Sequence, residues 1–494
     1  MKSLHQLLDK LDYRLIKGSL DTEVTDIFYD SRKVAPDTVF VCMVGSLSDG
    51  HEYIPDAVKK GASVVVMERE IEVDADVTVV YVESARKALS YMSAALFDYP
   101  AEKMTTIGIT GTKGKTTTSH MIKTVLEKAG KKCGVIGTNG AYIDGEEIVT
   151  HNTTPESYEL HSLFSRMEKA GCEYMVMEVS SQGIKLDRTA GIQFDYGVFE
   201  NISPDHIGPA EHKDFAEYLY CKSRLFTQSR IGIVNCDDEH WQDIVRDNTC
   251  EEIVTFGSGE KADLQATEIT HVSDKGELSM KFHAKGFFEG DIIVGLPGRF
   301  NIFNAMCAVC VCAKMGIEKK DILHALEHVK VRGRVEPVPV GEEFSVLIDY
   351  AHNEVSSRSV LTTLREYNPS RIISIFGCGG NRSRDRRFTM GEAIGELSDL
   401  SIITADNPRR ENVLDIIEDI KVGMNKSGGE YVEIPDRQEA VTYAIKNAKK
   451  GDMIILLGKG HEDYQEVNGV QYHYSDREAV ANAMKIVYNK DIKY

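Results

Sequence analysis

Apolar positions along this chain repeat with two different periods, and the two alternate. Short apolar runs rich in β-branched residues, TTIGIT, CGVIGT, YMVMEVS, YGVFENIS and IGIVNC, are separated by stretches such as SHMIKTVLEKAG, where apolar residues return every third or fourth position. The runs predict buried strands and the stretches amphipathic helices, so residues 103–333 should form a mainly parallel sheet of strand–helix–strand units. A second alternation begins at residue 334 with SVLIDY, RIISIFG, SIITAD and MIILLG, each leading into a polar or glycine-rich loop and then a helical stretch. It predicts a separate, smaller α/β domain over 334–494. Residues 1–102 mix short apolar runs with turns and close on KALSYMSAALFDYPAE, a helical pattern ending at Pro100. The chain is therefore expected to be α/β in three domains, and in open sheets of this kind ligands bind beyond the carboxyl ends of the strands.

Composition narrows the function classes. A net charge of −19 argues against nucleic acid as a partner, because neutralising phosphates takes a basic surface. Any anionic substrate must instead meet local positive charge. No stretch approaches the roughly 18 apolar residues of a membrane span, so no membrane insertion and a cytoplasmic location are expected. The ten cysteines sit mostly inside apolar runs such as NAMCAVCVCAKM, without the spacings of a zinc site or disulfide framework, and read as buried reduced thiols.

The most specific local pattern follows the run TTIGIT. Gly111-Thr112-Lys113-Gly114-Lys115-Thr116-Thr117 leads directly into a helical stretch. Glycines let backbone N–H groups turn inward around a phosphate, a helix N-terminus adds its positive dipole end, Lys115 adds a full charge, and the Thr116 hydroxyl can hold Mg²⁺. The more common phosphate loop has a glycine where this chain has Ile109, so the match is to the compact T-G-T-x-G-K-T-T variant. Glu178 ends a buried run, and a carboxylate there caps the strand or holds a hard cation, the second being favoured next to a triphosphate. Taken alone, His206 reads as a loop histidine, Lys222 as a solvated lysine, and Asn301 as a helix cap.

Further motifs follow in order: Met177-Glu178-Val179-Ser180-Ser181, Asn201-Ile202-Ser203-Pro204-Asp205-His206, Lys222 in YCKSRLF, Asn235-Cys236-Asp237-Asp238, Gly298-Arg299-Phe300-Asn301, Gly333-Arg334 and Asp349-Tyr350-Ala351-His352. This ordered set resembles the Mur ligases and their folylpolyglutamate synthase relatives over nearly the whole chain. The resemblance implies an N-terminal uridine-binding domain, a central phosphate-loop ATPase domain and a C-terminal Rossmann-like domain. It implies that ATP is held by residues 111–117, with Asn301 at the adenine edge, Asp349 on the ribose and Arg334 swinging onto the phosphates. It also implies that Glu178 and His206 hold a second Mg²⁺, assisted by Lys222 after CO₂ has converted its amine to a carbamate. Lys115, Glu178, His206, Lys222 and Arg334 form the implied catalytic set.

Two further regions point to a branch of that family. Asp30-Ser31-Arg32 and the segment Val44 to His51 resemble the uridine-binding part of MurE-type enzymes, with Ser31, Ser46 and Ser48 on uracil and diphosphate and Leu47 in place of a polar residue. Asn152, Thr153 and Thr154, with Ser180 and Arg188, resemble the segment that holds the muramoyl dipeptide. In the last domain, Asp406-Asn407-Pro408-Arg409 and Gly458-Lys459-Gly460-His461-Glu462 each follow an apolar run and are expected at neighbouring strand ends. A planar Arg fork suits a carboxylate and an acidic group suits an ammonium. The resemblance accordingly gives Arg409 the far carboxylate of meso-diaminopimelate, Glu462 its far ammonium and Arg382 its near carboxylate, whereas Arg384, Arg386 and Arg387 read equally well as a solvated face. Gln182, Leu186, Pro204, Glu354 and Phe388 stand where the family usually has other residues, as does the segment 207–212.

The expected chemistry is ATP-dependent ligation through an acyl phosphate, adding the diamino acid to a UDP-muramoyl dipeptide in peptidoglycan precursor synthesis, by a monomer with small-molecule partners. L-lysine or another acceptor is the nearest alternative. A nucleotide-switched binding protein without turnover is a remoter one.

Overall fold

The computed structural model describes residues 1–45, 48–208, 211–274 and 277–492. The chain divides into two compact units, Met1–Gln265 with Met306–Ile322, and Ala266–Ala305 with Leu323–Tyr494.

The first unit holds two main sheets and a short antiparallel pair of Lys2–Ser3 with Glu23–Val24. Near the N-terminus, the strands Asp26–Phe28, Thr38–Cys42, Ala62–Met67 and Thr78–Tyr81 pair in parallel, and Arg14–Lys17 closes the edge antiparallel. One face packs Val39, Val41, Val64, Val66 and Val80 under the helix Ala85–Leu96, whose Ser84 caps the amide of Lys87. The expected helix thus ends before Pro100, which opens a short 3₁₀ turn.

The larger sheet runs in the order Cys133–Gly137, Tyr174–Glu178, Thr105–Thr110, Phe194–Phe199, Ser229–Asn235 and Glu252–Gly257, all parallel, with a hairpin of Gly140–Ile143 and Glu146–Ile148 at one edge. The chain order reverses on either side of Thr105–Thr110, which creates a crevice at the carboxyl end of that strand. The phosphate-loop sequence stands there. Strands buried on both faces need continuous apolar runs, which is why five of these six were readable; Glu252–Gly257, partly exposed, was not.

In the second unit, six strands run in the order Glu336–Val338, Ser345–Asp349, Asp452–Leu457, Arg371–Phe376, Leu400–Ile403 and Tyr431–Glu433, parallel except for the first pair. One face packs Leu361, Ile394, Ile417 and Ile420, the other Val441, Ile445, Val480 and Ala483. The hairpin Tyr464–Val467 with Val470–His473 follows, turned by Asn468 and Gly469, both at positive φ as such two-residue turns require. All ten cysteines are free and eight are buried, as expected. Among the described residues no helix is long and apolar enough to cross a membrane.

Candidate active site

The strand Thr105–Thr110 delivers the chain into residues 111–114, and the helix Lys115–Lys128 starts at Gly114, φ 98°, with no side-chain cap. Its first amides stay available to an anion. Asn201 holds the loop, its Oδ1 accepting from the Lys113 amide at 2.9 Å and its Nδ2 donating to the Lys113 carbonyl at 3.0 Å, while the Thr112 amide donates to the Asn201 carbonyl. The Thr112 hydroxyl lies 3.0 Å from the Tyr218 hydroxyl, and Thr117 is buried in the first helical turn.

Lys115 and Lys222 converge on one atom. Each Nζ donates to the Gly111 carbonyl at 2.8 Å. Lys222 is the reverse of a solvated lysine: it is buried, 4.6 Å from the Tyr218 ring centre, and burial, reinforced by the Lys115 charge, holds its amine well below the usual lysine range. The helix Phe215–Ser223 places it there by packing Tyr218 and Cys221 inward.

Glu178 ends its strand in the same crevice. Its Oε1 accepts from the Thr116 hydroxyl at 2.8 Å and the Thr138 amide at 3.0 Å, and its Oε2 accepts from the Thr138 hydroxyl. Gly137 leaves room for this carboxylate, since an added Cβ would stand 2.2 Å from Oε1 and push it aside. Around this carboxylate, Thr154 donates to the Glu178 carbonyl, the Ser180 amide donates to Thr154 Oγ1, and Ser180 caps the Gly183 amide. Thr153 reaches the Thr138 hydroxyl at 3.2 Å, and Asn152 is exposed beside it in sequence. Arg188 is buried with its guanidinium on Glu156 and the Thr154 carbonyl, so it braces the segment 152–154.

The remaining expected partners meet other groups, and the His206 ring centre lies 6.1 Å from that of Tyr218. His206 is exposed, at φ 54°, with Nδ1 2.9 Å from Glu211, and among the described residues no group of three or more His, Cys, Asp or Glu is arranged to hold a metal. Ser31 is half-buried and its carbonyl accepts from Lys60, while Ser48 is exposed and its carbonyl accepts from the Gly45 amide. Ser46 and Leu47 lie outside the described residues.

A residue given no role from the sequence completes the first constellation. Glu200 follows the strand Phe194–Phe199 and is buried beneath the loop, where a Cβ on Gly111 would stand 3.3 Å from its Oε2. Burial pushes its carboxyl up to about 8, against the opposing pull of Thr118, Lys115 and Lys222. The signal was the one that marked Glu178, a carboxylate closing an apolar run.

In the second unit, Asp349 is buried and accepts the Val335 and Ala351 amides at 2.8 and 2.7 Å. Burial raises its carboxyl, with the Arg334 charge opposing. Arg334 lies over the Tyr350 ring at 5.1 Å. Asn301 sits inside the helix Arg299–Lys314 and not at its cap: its Nδ2 donates to the Pro297 carbonyl and its Oδ1 accepts from Asn304, so both amide groups are used inside the turn.

The loops at 406–409 and 458–462 meet, although their strands are not neighbours. Leu400–Ile403 and Asp452–Leu457 are separated by Arg371–Phe376, which ends in Gly377-Cys378-Gly379-Gly380. These glycines let the loop after Leu400–Ile403 close over the intervening strand end: a Cβ on Gly377 would meet the Thr404 carbonyl at 2.3 Å, and one on Gly380 the Pro408 carbonyl at 1.9 Å. Asn407 donates to Glu462 at 2.8 Å and accepts from the buried Lys459, which also reaches Glu462 at 3.2 Å. Asp406 packs against Gly458, whose φ of 107° and missing Cβ make room for its Oδ2. Burial raises the Glu462 carboxyl, with Lys459 opposing. Arg409 stands on the Gly380 carbonyl and Glu466. Arg382 is exposed next to Gly379. Of the remaining arginines, Arg384 binds Asp419 from the surface, and Arg387 is buried on Asp419 and Glu411, so the cluster is not simply a solvated face.

A phosphate loop at the switch point of a parallel sheet, with a buried carboxylate on its threonine, defines a protein of the phosphate-loop nucleotide-binding class. Models of the Mur ligase middle domain, the Mur ligase glutamate ligase domain and the Mur ligase family catalytic domain match residues 109–312, 333–460 and 23–97. The chain is 40% identical over 488 residues to the UDP-N-acetylmuramoyl-L-alanyl-D-glutamate–2,6-diaminopimelate ligase of Clostridium perfringens, covering 98% of this chain and 99% of that one. It is 41% identical to the enzyme so named, number 1, of Clostridium acetobutylicum, with the same coverage. A solved structure of a ligase with that name superposes with a TM-score of 0.73 at 26% identity, over 99% of this chain and 100% of the other. The chain belongs to the Mur ligase family.

Proposed function

We propose that this protein is an ATP-dependent ligase that joins meso-diaminopimelate to the D-glutamate carboxylate of UDP-N-acetylmuramoyl-L-Ala-D-Glu, in cytoplasmic peptidoglycan precursor synthesis. The observation that carries the reading is the meeting of Asn407, Arg409 and Glu462 at one set of strand ends, in a chain about 40% identical throughout to ligases named for that reaction. The domains are assigned as 1–102 for the UDP-muramoyl substrate, 103–333 for ATP and 334–494 for the amino acid.

Residues 111–117 receive the ATP phosphates on backbone amides and on Lys115, whose ammonium leaves the Gly111 carbonyl for the anion. Asn301, Arg334 and Asp349 are assigned to the nucleotide. Thr116 and Glu178 present hard oxygen donors that fit Mg²⁺, with His206 and, if carbamylated, Lys222 assigned as further ligands; bound there, Mg²⁺ would supply charge neutralisation at the phosphates. Lys222 is suited to carbamylation, because depressed basicity leaves more of the neutral amine that attacks CO₂. Ser31, Ser46, Ser48, Asn152, Thr153, Thr154, Ser180 and Arg188 are assigned to the UDP-muramoyl dipeptide, and Arg382, Asp406, Asn407, Arg409, Gly458 and Glu462 to the diamino acid.

The D-glutamate carboxylate attacks the γ-phosphorus and ADP leaves; the diaminopimelate amine then adds to the acyl phosphate and expels phosphate. Such displacement needs positioning and charge neutralisation more than covalent help from the protein. The test is turnover of ATP and UDP-N-acetylmuramoyl-L-Ala-D-Glu with a panel of amino acids, read by product mass. The meso-diaminopimelate adduct is expected. Preference for L-lysine would overturn the assignments of Arg409 and Glu462.

A further inference from the structure

Arg409 is held by a hairpin that the family motifs do not include. Its backbone is left-handed, φ 54°, a conformation uncommon for a long side chain. Two backbone hydrogen bonds keep it there: the Arg409 amide donates to the Glu466 carbonyl at 2.9 Å, and the Asn468 amide donates to the Arg409 carbonyl at 2.5 Å. The hairpin strand Tyr464–Val467 also grips the rest of the loop, with the Glu466 amide on Asn407 Oδ1 and the Gln465 side chain on the Asp406 carbonyl. At the guanidinium, Nε donates to Glu466 Oε2 at 3.2 Å and one terminal nitrogen donates to the Gly380 carbonyl at 2.7 Å. A guanidinium has five N–H groups in a fixed plane, so these two bonds, one from Nε and one from a terminal nitrogen, fix its plane and leave three N–H groups on the two terminal nitrogens for a ligand.

We propose that Glu466 is a specificity-determining positioning residue: it holds Arg409 by Nε so that the terminal fork presents itself to a carboxylate at the far end of the incoming amino acid. The proposal rests on the assignment of Arg409 to that carboxylate. Glu466 itself does not touch the substrate. Its side chain is about as exposed as that of Arg409, 27% against 25%, so the contact is a rim clamp that can be removed without opening the core.

The experiment compares full-length wild type, Glu466→Ala, Glu466→Gln and Arg409→Ala, measuring phosphate release with UDP-N-acetylmuramoyl-L-Ala-D-Glu as acceptor and either meso-diaminopimelate or L-lysine as amine. Loss of one hydrogen bond to a charged group predicts that Glu466→Ala raises KM for meso-diaminopimelate about tenfold. kcat and KM for ATP hold, and kcat/KM for L-lysine, which has no far carboxylate, changes less than about twofold by the same argument. Glu466→Gln, whose amide oxygen still accepts from Nε, recovers most of the loss. An unchanged KM for meso-diaminopimelate in Glu466→Ala, or equal losses with both amines, overturns the proposal. Arg409→Ala separates the two levels. If it raises KM while Glu466→Ala does not, only the role of Glu466 is lost; if neither moves, the assignment of Arg409 falls as well.

Discussion

The Thr116 hydroxyl donates to Oε1 of Glu178 at 2.8 Å, joining the first turn of the phosphate-loop helix to the end of the neighbouring strand. The two parallel strands that bring them together are in register, Glu178 opposite Ile109. This contact places a hard carboxylate oxygen beside the hydroxyl that a phosphate-bound cation would share. Replacing Glu178 by Gln keeps the shape and removes the charge, so the fold should persist and turnover should not. We expect kcat to fall at least about 100-fold, as when a catalytic charge partner is lost, with partial recovery at high Mg²⁺. Steady-state rates across a Mg²⁺ titration check this, and an undiminished rate at low Mg²⁺ would remove Glu178 from the site.

Lys222 gives a prediction of a different form. If its amine becomes a carbamate, Lys222→Ala loses activity that a short carboxylate can partly restore, because the acid occupies the space and charge of the missing group. Phosphate release with and without added acetate, at constant ionic strength, is the measurement. Full activity of Lys222→Ala without acetate would exclude the carbamate.

Glu200 predicts a pH dependence of stability. Its carboxyl is pushed up to about 8 by burial, whereas in the unfolded chain it titrates near the ordinary glutamate value, about 4.3. Between those values the unfolded chain gives up a proton that the folded chain keeps. Its contribution is therefore fully present below the lower value, is lost as pH rises toward 8, and is constant above. Glu200→Gln has no such proton, so its Tm should exceed that of wild type at pH 8 and the gap should close toward pH 5. Parallel Tm curves for the two proteins over that range would be incompatible with a buried, protonated Glu200.

Arg437 and Asp476 form a fully buried pair, bonded Nε to Oδ1 and terminal nitrogen to Oδ2 at 2.8 Å each, with a further bond to the Leu457 carbonyl. They tie the first turns of the helices Arg437–Lys446 and Asp476–Tyr488 to the end of the strand Asp452–Leu457. Arg437→Met strands Asp476 without its counter-charge and should cost about 3–5 kcal/mol, read as a lowered urea midpoint. The double replacement with Asp476→Leu should recover part of that loss. A midpoint unmoved by Arg437→Met would mean that the pair carries little stability.

By itself the sequence determined the α/β class, the parallel strands and the phosphate loop, because strands buried on both faces require apolar runs and a phosphate-binding turn requires glycines at set spacings. It also marked Glu178 and Asp406 at the ends of such runs, while Arg409 and Glu462, four and five positions past theirs, were marked by the loops that follow a strand and by the family resemblance. Only the tertiary structure decided what each side chain meets. Lys222 is a solvated lysine by its helical pattern and a buried one by the packing of Tyr218 and Cys221; Arg387 joins an internal ion network; Arg188 braces a loop; and Glu200 is the second buried carboxylate under the phosphate loop. The loops at 406–409 and 458–462 were expected on neighbouring strands. They meet across an intervening one, where Gly377 and Gly380 let the loop after Leu400–Ile403 pass close over its end and Gly458 leaves room for Asp406. Local spacing places a residue along its element, whereas its partners come from chain segments tens or hundreds of positions away, and those distances are set by packing.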